Sequence, residues 1–182
     1  MISMLGIAAV IFYFTIYSFF GWLLENSYSF VTTRKFFKDG FLWGPVKPMY
    51  GFAPVMLVYL ITPETNWLFI LLLCLFIPTV VEYVSGFLLQ TFFHRQWWDY
   101  SKLPLQFHGH ICVSFSICWI FLAVICLKWI HPVIASMYGQ IASYWIWLSP
   151  FVVLYFIVEL IFAIRKHLPQ RAALAKQSNT ID

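Results

Sequence analysis

Apolar residues in this chain fall in long runs, not in one-sided stripes. A helix rising ~1.5 Å per residue needs about 20 apolar residues to cross the ~30 Å hydrocarbon core of a bilayer. The runs therefore predict membrane spans over residues 2–24, 67–93, 111–127 and 144–164. A weaker run over residues 49–62 carries Gly51 and Pro54, and extending it back to Phe41 adds Gly44, Pro45 and Pro48. Phe41–Thr62 is expected to be a broken or partly re-entrant element that leads into a helix. Such backbone is tolerated at membrane depth only when it packs in protein or lines a cavity. Lys128–Ser143, with His131-Pro132 and Gly139-Gln140, is expected to form a loop with a short interfacial piece; a sixth span is the alternative. The fold class is then all-α, a polytopic transmembrane helix bundle of about five spans. Residues 1–166 form one transmembrane domain and residues 167–182 a polar tail. No basic region precedes the first run and no small-residue cleavage site follows it, so it is expected to be a span and not a signal peptide.

Composition narrows this further. Of 182 residues, 62% are hydrophobic and only 10% charged, whereas a soluble domain is roughly a quarter charged. A soluble domain, a disordered tail and a nucleic-acid partner are thereby excluded, and the lipid bilayer is the expected solvent. Arg34, Lys35, Lys38 and Lys47 follow the first span, Arg95 and Lys102 the third, and Arg165, Lys166, Arg171 and Lys176 the fifth. Only Lys128 falls on the other side. The excess of Lys and Arg in cytoplasmic loops predicts a multi-pass cell-membrane protein with its N-terminus outside and its C-terminus cytoplasmic. Six spans would put the last basic cluster opposite the others. Trp67, Trp129, Trp145 and Trp147 fit an outer aromatic belt, and Trp43, Trp97, Trp98 and Tyr100 an inner one. Four cysteines inside apolar runs, with no C-x-x-C, read as core residues.

Chemistry is concentrated in three places. Glu25, Glu82 and Glu159 lie in or at the ends of spans one, three and five, where ionisable groups are costly and tend to face a bundle interior, a cavity or a partner. They are candidates for an acidic substrate path in the inner half of the bundle, or for pairing with Arg34, Lys38 or Arg95. The loop from His94 to His110 gathers His94, Arg95, Asp99, Tyr100, His108 and His110 at the cytoplasmic face. Arg95 with its neighbouring aromatics suits an interfacial anchor or a headgroup clamp. His94, Asp99, His108 and His110 are also the residue types that ligate zinc, a weaker reading beside hydrogen bonding; no metal or other cofactor is expected. The third place is Asp39 to Gly51, where Gly40, Gly44, Pro45, Lys47, Pro48 and Gly51 fix an irregular backbone. It suits either a cytoplasmic turn or a discontinuous segment shaping a substrate path. No catalytic residue is assigned, since neither G-x-S-x-G nor H-E-x-x-H occurs, and no G-x-x-x-x-G-K-[ST] motif is present to bind ATP.

Tyr17 to Glu25 (YSFFGWLLE), Gly40 to Pro45 (GFLWGP), Pro48 to Gly51 (PMYG), Glu82-Tyr83, Phe93-His94, Trp97 to Ser101 (WWDYS) and Gly109 before Ile111-Cys112 carry a resemblance. Across roughly Tyr17 to Pro132 the chain resembles the bacterial family of small integral membrane proteins described as putative ABC-transporter type IV. Asp39, Gln90 and His110 depart from that family's pattern, which more often has Arg, Glu and Arg there. The resemblance implies a permease-like inner-membrane protein that works with a separate ATPase.

The expected function is thus a small membrane permease subunit, acting as a homo-oligomer or with an ATPase subunit, on a small solute or a lipid-linked molecule. The alternatives are a membrane-embedded enzyme acting on a lipid headgroup through His94, Asp99, His108 and His110, and a non-catalytic accessory subunit.

Overall fold

The computed structural model describes residues 4–178. Helix α1 is Met4–Thr33, α2 Pro48–Leu60 and α3 Trp67–Phe93; a two-stranded hairpin of β1 (Gln106–Phe107) and β2 (Ile111–Cys112) follows. Helix α4 is Val113–Ile125, a π-turn covers Cys126–Ile130, and α5 is His131–Ser178. Three helical stretches are long and apolar enough to cross a membrane: Gly6–Thr33, Trp67–Phe93 and Val113–Leu168. Helix α2, with 13 residues, is about 20 Å long.

Local chemistry sets the boundaries. Pro48 opens α2, where its fixed φ suits the first turn and its missing N–H costs nothing. Asn66 caps α3, its Oδ1 accepting the Leu68 N–H at 2.7 Å. His94 ends α3 in the left-handed region, its N–H donating to the Gln90 carbonyl.

Helices α1 and α2 meet through glycines. A Cβ on Gly21 would overlap the Tyr50 ring, and one on Gly51 would overlap Ser18 and Phe14. Close backbone approach at small residues is the usual solution where lipid supplies no hydrophobic drive between helices. One buried cluster joins Ala8, Phe12 and Tyr17 of α1 to Ile134 and Trp145 of α5. A second joins Ala53 and Leu57 of α2 to Cys74 and Ile77 of α3 and Ala123 of α4.

One expectation needs correction, and two element boundaries differ from those expected. Residues 128–143 are helical, not a loop: Pro132 sits in the first turn of α5, where it is harmless, and the π-turn absorbs the change of path. The separate spans expected at 111–127 and 144–164 are joined by helix, and Ile111-Cys112 is strand, so α4 begins at Val113. The tail expected from residue 167 has helical backbone as far as Ser178, and its last four residues, like residues 1–3, lie outside the described part.

This continuous helix does not run straight. Lys128 Nζ lies 5.9 Å over the Trp67 ring, at the start of α3, while His167 packs edge-on against Phe93, at its end. Helix α3 covers ~39 Å between those points, whereas a straight helix from Lys128 to His167 would cover ~58 Å. The surplus is taken up along α1. The Tyr17 hydroxyl meets His131 Nδ1 at 2.8 Å, Tyr138 packs on Phe12, and Trp145 Nε1 donates to the Ala8 carbonyl at 2.9 Å.

Candidate functional site

The segment between α1 and α2 has no helix or strand, and polar groups from α1 and α5 hold it in place. Arg34 leaves α1 with φ 60°, the left-handed turn that ends the helix. The Asn26 Oδ1, on a side chain only 1% exposed, accepts the Lys38 N–H at 2.9 Å. Glu25 receives two ammonium groups, Lys38 Nζ on Oε1 at 2.8 Å and Lys47 Nζ on Oε2 at 2.6 Å. The Lys47 N–H donates to the Ser18 carbonyl at 2.9 Å. From α5, Glu159 Oε2 accepts the N–H groups of both Trp43 and Gly44, at 3.0 and 2.9 Å. His167, buried on the same helix, donates from Nε2 to the Phe41 carbonyl at 3.2 Å and stacks on the Phe41 ring. Gly44 has no room for a side chain, because a Cβ there would overlap the Tyr155 hydroxyl. Burial pulls the Lys47 ammonium below its ordinary pKa, against the opposing pull of Glu25.

Behind this segment lies a cavity of about 1130 Å³. Its walls are largely apolar, with Trp22, Phe52, Leu89, Phe93, Trp97 and Leu160 among them. Its charged lining consists of Lys38, Lys47 and Lys166 with Glu25 and Asp39. The Trp97 ring also packs on Phe41, Phe93 and His167, and its buried indole N–H has no acceptor among the described residues.

Glu82 lies deeper and is 2% exposed. Its two oxygens are divided between neutral donors: Tyr100 Oη–H donates to Oε1 at 2.9 Å, and Trp119 Nε1–H to Oε2 at 2.8 Å. The ion pairs among the described residues both belong to Glu25. Tyr50 packs edge-on against Trp119 and is within electrostatic reach of Glu25 and Glu82 alike, so one tyrosine stands between the two acids. Burial, and next the Glu82 carboxylate, push the Tyr100 hydroxyl far above its usual range.

The hairpin loop that supplies Tyr100 is itself tightly cross-linked. Asp99 accepts the Ser101 N–H and hydroxyl, at 2.8 and 3.0 Å, which holds its carboxyl below the usual range. The Tyr100 N–H donates to the Gly109 carbonyl, and the Gly109 N–H to Gln106 Oε1. His110 is 2% exposed and packs against Gly86, where a Cβ would come within 2.9 Å of its ring. Trp98 Nε1–H donates to the His110 carbonyl at 2.9 Å. Desolvation, and next the neighbouring His108, lower the His110 pKa, with Asp99 opposing.

The family model described as Putative ABC-transporter type IV matches residues 12–164. The chain belongs to that family. No curated protein and no solved structure matches it. The family description suggests an ABC-transporter-type membrane protein, and three helical stretches among the described residues that are long and apolar enough to cross a membrane fit this.

The family match spans every candidate site residue, but the structure separates them. Glu25 and Glu159 both hold the segment between α1 and α2, from opposite sides, whereas Glu82 belongs to a distinct buried site. Arg34 is exposed at the end of α1, and Arg95 is exposed with its guanidinium 5.3 Å over the Trp97 ring. His94, Asp99, His108 and His110 do not converge as ligands: among the described residues no group of three His, Cys, Asp or Glu is placed to hold a metal. His108 instead stacks on Phe107 and meets the Tyr83 hydroxyl at 3.0 Å. Sequence reasoning missed Asn26, Tyr50, Trp119 and His167. Asn26 and His167 carried a usable signal, since a polar side chain in an apolar run must find a partner. Tyr50 and Trp119 look like belt or core residues until the fold brings them to an acid.

Proposed function

We propose that this protein is a permease-like membrane subunit that moves an amphiphilic, lipid-linked molecule. The observation that carries this reading is the cavity behind the Lys38–Lys47 segment. A largely aromatic and aliphatic chamber with charged groups in its lining suits a molecule with an apolar body and a polar head; a hydrated ion would gain nothing from such walls. We take the end bearing Lys38, Lys47 and Arg95 as cytoplasmic, from the distribution of Lys and Arg.

In this reading the chain crosses five times, with α4 and the later part of α5 as separate passes. The stretch from His131 to Trp145 lies along the outer interface, and the segment after Gly40 forms the floor of the path. Glu82 acts from its own buried site, by fixing Tyr100 and Trp119. The chamber is lined by α3 only from Ser85 onward and by α5 only from Phe156 onward, so a continuous path needs a second copy or a partner, and an ATPase subunit would supply the energy.

Reconstitution tests this. Proteoliposomes carrying the protein are expected to flip a fluorescent phospholipid faster than empty liposomes, and Glu82→Gln to reduce the rate at equal protein content. Flipping no faster than in empty liposomes, with and without a candidate ATPase subunit, would remove the transport reading.

A further inference from the structure

We propose that Lys38 and Lys47 form the headgroup site for an anionic, phosphate-bearing lipid whose acyl chain occupies the aromatic cavity, and that Glu25 fills this site while no lipid is bound. The inference rests on reading the cavity as the ligand chamber, and it adds the ligand's charge and the means of selection.

Two ammonium groups converge on one carboxylate, one on each oxygen. That is the donor arrangement a phosphate would need, since each ammonium offers three N–H donors and only one is used on Glu25. All three side chains line the cavity, so the charged site and the apolar chamber are continuous. The charges lining the chamber are Lys38, Lys47 and Lys166 against Glu25 and Asp39, a positive excess that favours an anion. Lys47 is well covered and Lys38 more open, with side chains 14% and 36% exposed, so one cation is seated and the other is free to swing toward an incoming head. At about 1130 Å³ the chamber exceeds the roughly 300–1,000 Å³ usual for small-ligand pockets, as a hydrocarbon chain requires. Basic pockets between membrane helices on the cytoplasmic side are a recurrent way to hold anionic headgroups.

The occupant is a lipid and not a free anion because the chamber beside the lysines is lined by Trp22, Phe52, Leu89 and Phe93, which offer phosphate nothing. Glu25 acts as an internal competitor. Its removal leaves both cations in place and empties their site.

Retention of lipid by the purified full chain, measured by native mass spectrometry from mixed micelles of phosphatidylglycerol and phosphatidylcholine, tests this. Phosphatidylglycerol is expected to be retained in preference to phosphatidylcholine. Losing one charged hydrogen bond, in Lys38→Gln or Lys47→Gln, is expected to lower retention roughly tenfold. Lys47→Arg keeps the charge and is expected to preserve retention, which separates loss of the site from loss of the fold. Glu25→Gln is expected to raise retention. Equal retention of the two lipids, or full retention by both lysine-to-glutamine variants, would overturn the proposal. Displacement of phosphatidylglycerol by inorganic phosphate would overturn the lipid occupant in favour of a soluble anion. Because binding is read without transport, selective retention with no flipping would remove the transport reading and leave this site standing.

Discussion

Glu159 Oε2 accepts the Gly44 N–H at 2.9 Å, across 115 positions of sequence. The same oxygen takes the Trp43 N–H, so one carboxylate of α5 holds two successive amides of the segment before α2. Glu159→Ala leaves both amides without that acceptor, at about 1–3 kcal/mol for the part-buried Gly44 N–H and less for the exposed Trp43 N–H, which water can reach. Hydrogen exchange over residues 40–47 is expected to accelerate while α3 keeps its protection. Unchanged exchange in that segment would show that Glu159 does not hold it.

Glu82 has the reverse problem, one carboxylate serving two donors. In Glu82→Gln the remaining oxygen can accept the Trp119 N–H while the new amide donates to the Tyr100 oxygen, so both contacts persist but lose their charge assistance. The variant is expected to insert at normal levels and unfold at lower temperature, with Tyr100→Phe showing a smaller loss. A Glu82→Gln protein as thermostable as the parent would mean that the charge on Glu82 adds nothing net to these two hydrogen bonds.

The crossing of α1 and α2 depends on two glycines. Gly21→Ala and Gly51→Ala are each expected to destabilise by roughly 1–3 kcal/mol through overpacking. Gly139→Ala provides the control, because nothing lies within 4 Å of a Cβ there. Thermal unfolding in detergent should rank Gly139→Ala near the parent and the other two well below it. Equal Tm values for all three would contradict the close helix contact.

His110 makes stability depend on pH. Its folded pKa lies below 6.5, its unfolded value, so between the two the unfolded chain binds the extra proton. Stability therefore falls as pH drops below about 6.5. Asp99 titrates lower, its folded pKa lying beneath its ordinary value of 3.8, and does not act in that window. The parent is expected to lose Tm between pH 7.5 and 5.5, and His110→Gln to lose less. Parallel pH profiles would rule out His110 as the cause.

The helices could be read from the sequence because lipid demands long apolar runs, and α3 matches its predicted span at both ends. The path between the last two runs could not. His131-Pro132 and Gly139 are breakers in water, but a helix that carries Pro in its first turn and satisfies its backbone groups internally tolerates them. The importance of Glu25 and Glu82 was legible from the cost of charge in an apolar run, but their partners were not. Lys47 lies 22 positions after Glu25, and Trp119 lies 37 after Glu82, so only the fold brings them together. In the histidine-rich loop, nearness in sequence says little about geometry: His108 and Asp99 stay within electrostatic reach of His110, yet among the described residues no three such groups are placed to hold a metal.

The cavity is the claim on which the functional account depends, and filling it is the most direct test. Ser85 lines the chamber from α3, and Ser85→Trp would occupy part of it without touching Glu25, Lys38 or Lys47. The measurement is lipid flipping in proteoliposomes by the parent and by Ser85→Trp, at equal reconstitution and with retained thermal stability. The account predicts that the variant falls to the rate of empty liposomes. Flipping by Ser85→Trp at the parental rate would contradict it.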